Sequence, residues 1–201
     1  MATVTHRATL DDFFAAEAAA PEGTRLALID GEIVEWGANM TTRNARHSAV
    51  MAKIGFLLIQ WLESQSKLIG VVAGGEARCR LRTDPELMVG LDMAFFQGDK
   101  HALDACSGSF FDGPPQVAIE ILSGSDTHDD VVDRLRVFFD CGVPQVWIVD
   151  PDLRNVTIHR ISGDTAFFAA RQTLTAEPEL PGFQVAVDSL FPKAPEKKSL
   201  K

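Results

Sequence analysis

Three nearly unbroken apolar runs set the terms for this chain: residues 87–96 (LMVGLDMAFF), 116–122 (QVAIEIL) and 144–150 (PQVWIVD). Runs of this length with β-branched and aromatic residues, bounded by Gly and Pro, read as strands covered on both faces. Between the second and third lies SGSDTHDDVVDRLRVFFDCGV, which reads as a helix. Ser125, Asp126 and Thr127 are candidate caps, Asp129 and Asp130 favour its first turn, and Gly142 follows its end. Its stripe is Val131, Leu135 and Phe138. Strand, helix, strand in this order predicts a parallel crossover, which an all-antiparallel sheet cannot contain.

The flanking segments complete an α/β fold with a central mixed sheet flanked by helices. Thr9 caps a first helix carrying Asp11 and Asp12, which stops at Pro21-Glu22-Gly23. LALI-DG-EIVEW predicts a hairpin, because a type I′ turn at Asp30-Gly31 needs positive φ at both central positions. A long helix follows from Asn44 to Ser66, with Val50, Met51, Ile54, Leu57, Leu58, Trp61 and Leu62 at three- and four-residue steps. From Gly74 the period becomes two. Glu76, Arg78, Arg80 and Arg82 share one face of a strand, while Ala77, Cys79 and Leu81 share the other. Residues 97–115 read as a loop, and NVTIHRI and TAFFAARQTL as edge strands. One domain is expected over 1–192, with a lysine-rich disordered tail at 193–201.

Composition narrows the function classes. The chain has 201 residues, a formal charge of −9, 46 % apolar and 23 % charged residues. Disorder throughout is thereby excluded, and so is coating of nucleic acid by bulk charge. Cys79, Cys106 and Cys141 have no CxxC spacing, so they read as reduced thiols of a cytoplasmic protein with no membrane span.

Two residues break the apolar runs. Asp92 and Glu120 each stand alone among hydrophobic neighbours, where an unpaired carboxylate costs several kcal/mol unless paired, neutralised or metal-bound. Side by side on adjacent strands, the two would hold a divalent cation through oxygen ligands. The ordinary alternative is that each sits at a strand end and pairs with an arginine. Arg134 lies three residues after Val131 and four before Phe138, so it faces inward and needs a carboxylate or phosphate partner, or else snorkels outward. Arg78, Arg80 and Arg82 would localise positive charge for a phosphate backbone, or form a solvated strand face.

These motifs together resemble the Uma2 (DUF820) family of the PD-(D/E)XK nuclease superfamily, which has a restriction-endonuclease-like fold. The resemblance rests on a buried strand with Asp92, Glu120 in EIL 28 residues later, Ser-x-Ser, a helix ending in Gly-Val, and VWIVDP. LIDGEIV, the helix bearing His47, and the closing LPGF…LF extend it over roughly residues 10–191. It implies a metal-dependent DNA endonuclease that uses Mg²⁺ or Mn²⁺ and acts as a homodimer. It also implies that Asp92, Glu120 and the Ile121 backbone carbonyl ligate the metal. Glu32 and His47 match further recurrent positions. The chain departs from the pattern at Leu91, where the motif has Pro, and at Leu122, where it has Lys. In Uma2-like sequences that Lys moves to the following helix, and its position here is Arg134. Arginine keeps the charge but cannot serve as a base near neutral pH. A catalytically silent member that binds nucleic acid or protein is therefore the second reading.

Overall fold

The structure, a computed structural model, describes residues 7–22, 24–36, 44–67, 70–124 and 126–193. The expected tail from residue 194 onward and the candidate cap Ser125 lie outside the described residues, as does the side chain of Cys106.

Local chemistry explains most element boundaries. Helix α1 (Leu10–Ala19) begins with a capping box between Thr9 and Asp12. Strands β1 (Leu26–Ile29) and β2 (Glu32–Glu35) form the expected hairpin, with φ of 54° at Asp30 and 83° at Gly31. Helix α2 (Ala45–Ser64) is capped by Asn44, whose side chain accepts from the His47 amide at 2.9 Å. That start sets the phase of the helix, so His47, Val50, Ile54, Leu58 and Trp61 form its buried stripe.

Strands β3 (Gly70–Thr83) and β4 (Glu86–Gln97) pair antiparallel along almost their whole length. The stretch read as a loop instead contains helix α3 (Asp99–Ser107) and the short strand β5 (Phe111–Asp112). Its sequence, DKHALDACS, has too few apolar residues to mark a stripe, and packing against β3 supplies what local pattern does not. Strand β6 (Val117–Ile121), helix α4 (His128–Asp140) and strand β7 (Gln145–Asp150) form the predicted parallel crossover. Thr127 caps α4 and shares a capping box with Asp130. Gly142 ends it at φ 82°, with Gly142 N–H donating to Phe139 O and Val143 N–H to Phe138 O. Strands β8 (Asn155–Arg160) and β9 (Thr165–Ala169) extend the sheet antiparallel. Strands β10 (Thr173–Thr175) and β11 (Gln184–Ala186) pair separately, so only the first part of TAFFAARQTL joins the main sheet.

The main sheet runs β2-β1-β4-β6-β7-β8-β9, with β3 branching from β4 and β5 pairing in parallel with β3. One core lies on the α2 side and holds Val117, Ile119 and Ile121 of β6 with Ile54, Leu58 and Trp61. Another lies on the α4 side and holds Ala118 with Phe138, Val143 and Val146. Strand β4 serves two partners in succession: Met88 pairs with Leu28 of β1, and Met93–Phe95 pair with β6. Asp92 falls between the two pairings. The alternation of β4 also slips here. Leu87, Val89 and Leu91 share the α4-side core with Ala94 and Phe96, while Met93 and Phe95 face α2. Opposite the slip, β3 bulges between Gly74 and Ala77.

Candidate active site

Six polar or charged side chains are buried among the described residues: His47, Asp92, Glu120, Arg134, Gln145 and Asn155. Four of these are candidates from the sequence, and they meet at one place. The β4–β6 register pairs Met93 with Ile119, and one further step brings Asp92 level with Glu120. Just past Glu120, the Ile121 amide donates to Asp92 Oδ2 at 2.9 Å. From α2, His47 Nε2 lies 3.1 Å from the same oxygen. A carboxylate only accepts, so this contact places the imidazole proton on Nε2.

Glu120 is held from the other face. Arg134 Nη1 donates to Glu120 Oε2 at 3.0 Å, and Nη2 donates to Asp126. Its Nε–H donates to Asp130 O, one turn back on α4. The guanidinium therefore faces inward and is not solvated. Burial opposes its charge, but Glu120 and Asp126 outweigh that effect and raise its pKa above the usual arginine value. Burial, and then the neighbouring Asp92 charge, push Glu120 up to about 7 despite the pull of Arg134. Glu120 Oε1 has no hydrogen-bond partner among the described residues.

Two further residues complete the cluster. Arg25 Nη2 is 2.6 Å from Glu76 Oε2 and 3.8 Å from Asp92 Oδ1. The pairing of Arg25 with Glu76 is not a sequence-level expectation, since its partners are distant along the chain. The Gly74-Gly75 pair was the available signal, because glycines inside a strand mark bulges.

The remaining candidates lie elsewhere. Glu32 is exposed on β2, at the outer edge beside the turn and two strands away from β4. Arg78, Arg80 and Arg82 each meet a carboxylate of this chain. Arg78 pairs with Glu17 at 2.7 Å and Arg80 with Asp112 at 2.8 Å, while Arg82 pairs with Asp30. A phosphate would have to compete with those partners. No helix among the described residues is long and apolar enough to cross a membrane.

Two oxygen donors from adjacent strands, one of them orphaned, suit a hard divalent cation. In the cluster, Asp92, Glu120, Glu76 and Asp126 face Arg25 and Arg134, so with all four carboxylates ionised they exceed the guanidiniums by two charges. A divalent cation would balance that excess and favour the ionised form of Glu120. Among the described residues no three His, Cys, Asp or Glu side chains gather as a ligand group. The fit is therefore to two carboxylates completed by backbone oxygen and water.

Comparisons with known proteins identify the fold and the family. A crystal structure of a "putative nuclease belonging to DUF820" from Anabaena variabilis superposes with a TM-score of 0.70 at 20 % sequence identity, covering 91 % of this chain and 97 % of that one. At that identity the likeness establishes the fold. No curated protein matches the chain. The Uma2 family profile, described as "putative restriction endonuclease", matches residues 10–188, a span that includes every residue of the buried cluster. The chain belongs to the Uma2 family.

Proposed function

We propose that this nuclease-family chain is a divalent-metal-dependent DNA endonuclease that hydrolyses phosphodiester bonds. The observation that carries the reading is the buried meeting of Asp92 with Glu120, whose Oε1 is left without a partner. A fold keeps two carboxylates out of water at a cost of several kcal/mol, and a structural role would leave Glu120 fully paired. Asp92, Glu120 and the Ile121 carbonyl would hold Mg²⁺ or Mn²⁺. Such an ion, when bound, polarises a phosphate and lowers the pKa of an attacking water.

The chain's own residues set the stage for that chemistry. His47 and the Ile121 amide both donate to Asp92 Oδ2 and fix the carboxylate's orientation. Arg134 holds Glu120 by Oε2 and keeps a positive charge beside the reacting phosphate. It stays protonated, so it stabilises charge and takes no proton. The lysine that it replaces would supply a titratable amine there. Slow turnover follows. Cutting both strands of a duplex needs two such sites, which a homodimer would supply.

A second reading has its own observation. Arg134 bridges Glu120 and Asp126, so a guanidinium already compensates one of the two carboxylates. A catalytically silent binding module would retain that arrangement for stability. Calorimetric titration with Mn²⁺ or Mg²⁺ separates the two readings. The enzyme reading expects one site in the native chain that is lost in Asp92→Ala. Heats equal to buffer in both proteins would leave the binding module.

A further inference from the structure

Arg25 connects the carboxylate pair to a cavity of about 390 Å³ whose walls include Phe13, Glu17, Arg25, Trp36, Glu76 and Arg78. Its Nη2 lies 2.6 Å from Glu76 and 3.4 Å from Gly90 O, and stops 3.8 Å short of Asp92 Oδ1. The last distance is beyond a hydrogen bond but within strong electrostatic reach. Its Nε–H has no partner among the described residues, and neither has the indole N–H of Trp36, a residue only 6 % exposed. Native folds rarely leave buried donors unpaired. Two such donors on residues lining one cavity mark a place that expects an acceptor.

Glu76, the carboxylate against Arg25, is held in a costly conformation. It has φ 64° in the β3 bulge, a left-handed geometry that a non-glycine residue adopts only when its surroundings enforce it. Gly90 lies opposite, and a Cβ there would come within 3.1 Å of Glu76 Oε2. Glu17 and Glu76 balance Arg78 and Arg25, so the cavity does not draw anions by net charge. It offers the Arg25 guanidinium to an anion delivered by other contacts. The planar guanidinium fork matches phosphate oxygens, which makes a phosphodiester the fitting occupant.

We infer that Arg25 contacts a backbone phosphate of the bound nucleic acid beside Asp92 and Glu120, and that Glu76 is its positioning residue. The inference rests on the nuclease reading above. The test measures affinity for a 20-base-pair DNA duplex by fluorescence anisotropy in EDTA from 50 to 200 mM KCl, alongside Mn²⁺-dependent plasmid nicking. Losing one phosphate contact makes the slope of log K against log salt shallower by about 0.9. Arg25→Gln should show that change, with affinity about tenfold weaker. Arg25→Lys should keep the slope, and it preserves the test if the glutamine variant does not fold. Glu76→Gln should keep the slope while lowering the nicking kcat several-fold, a split that mere loosening of the fold does not give. Native protein that nicks DNA while Arg25→Gln retains the slope, or while no binding is seen, overturns the Arg25 assignment and leaves the nuclease reading. Native protein that binds with the expected Arg25 dependence but never nicks overturns the nuclease reading and leaves the Arg25 contact.

Discussion

Arg134 Nη1 lies 3.0 Å from Glu120 Oε2, with the two side chains 5 % and 0 % exposed. The pair joins helix α4 to strand β6 across the crossover, and Asp126 takes a second N–H of the same guanidinium. Three charged groups are thus tied together where water scarcely reaches. Arg134 is the cation shared by both carboxylates, so its removal leaves Glu120 and Asp126 to bear the full cost of burial.

Glu120 should make stability depend on pH. Its folded pKa of about 7 lies above the ordinary value of 4.5, so the folded chain holds this proton more tightly than the unfolded one. The resulting stabilisation is complete below pH 4.5 and is lost as pH rises through 7. Glu120→Gln stays neutral and can still accept from Arg134. At pH 8 it should therefore melt several degrees higher than the native chain, a gain of roughly 3 kcal/mol at most, and at pH 4 the two should coincide. Thermal melts at both values check this. A lower Tm for Glu120→Gln at pH 8 would mean that the ion pair stabilises the fold more than burial of the carboxylate costs.

Arg134→Ala leaves Glu120 and Asp126 without their shared cation. The expected loss at pH 8 is about 3–5 kcal/mol in urea unfolding. Adding Glu120→Gln to that variant should recover a large part, because the two residues act as one unit. Additive losses in the double variant would contradict the coupling.

Replacement of Arg134 by lysine addresses the departure from the family pattern. A lysine partly buried beside carboxylates has a tunable pKa, whereas arginine does not. Arg134→Lys should raise metal-dependent nicking above the native level, with general-base assistance worth about 10²–10⁴-fold, and Arg134→Ala should not. Equal rates for the native chain and Arg134→Lys would show that arginine does not limit this site.

Much of this site could be read from residue type and spacing. Asp92 and Glu120 stood out because a lone carboxylate in an apolar run needs a reason, and the fold buries both. Arg134 was legible from its place on the Val131–Phe138 stripe, and Asp30-Gly31 from the backbone it requires. Helix α3 was hidden because tertiary packing, not its own pattern, stabilises it. Arg25 and Glu76 were hidden for a different reason. Glu76 meets Arg25, and Arg25 approaches Asp92, where β3 bulges and β4 changes partners, and no local periodicity encodes that junction. The carboxylate partners of Arg78, Arg80 and Arg82 likewise come from three separate elements or turns, which a strand's alternation cannot reveal.

Nicking of supercoiled plasmid at low salt bears most directly on the claim that Asp92 and Glu120 form a metal-dependent hydrolytic site. Low salt gives a chain of net charge −9 its best chance of engaging DNA. The native protein should convert supercoiled DNA to the open-circular form in Mn²⁺ or Mg²⁺, stop when EDTA is added, and lose the activity in Asp92→Ala while remaining folded. Nicking that persists in Asp92→Ala, or none by the native protein with either ion, would contradict the account.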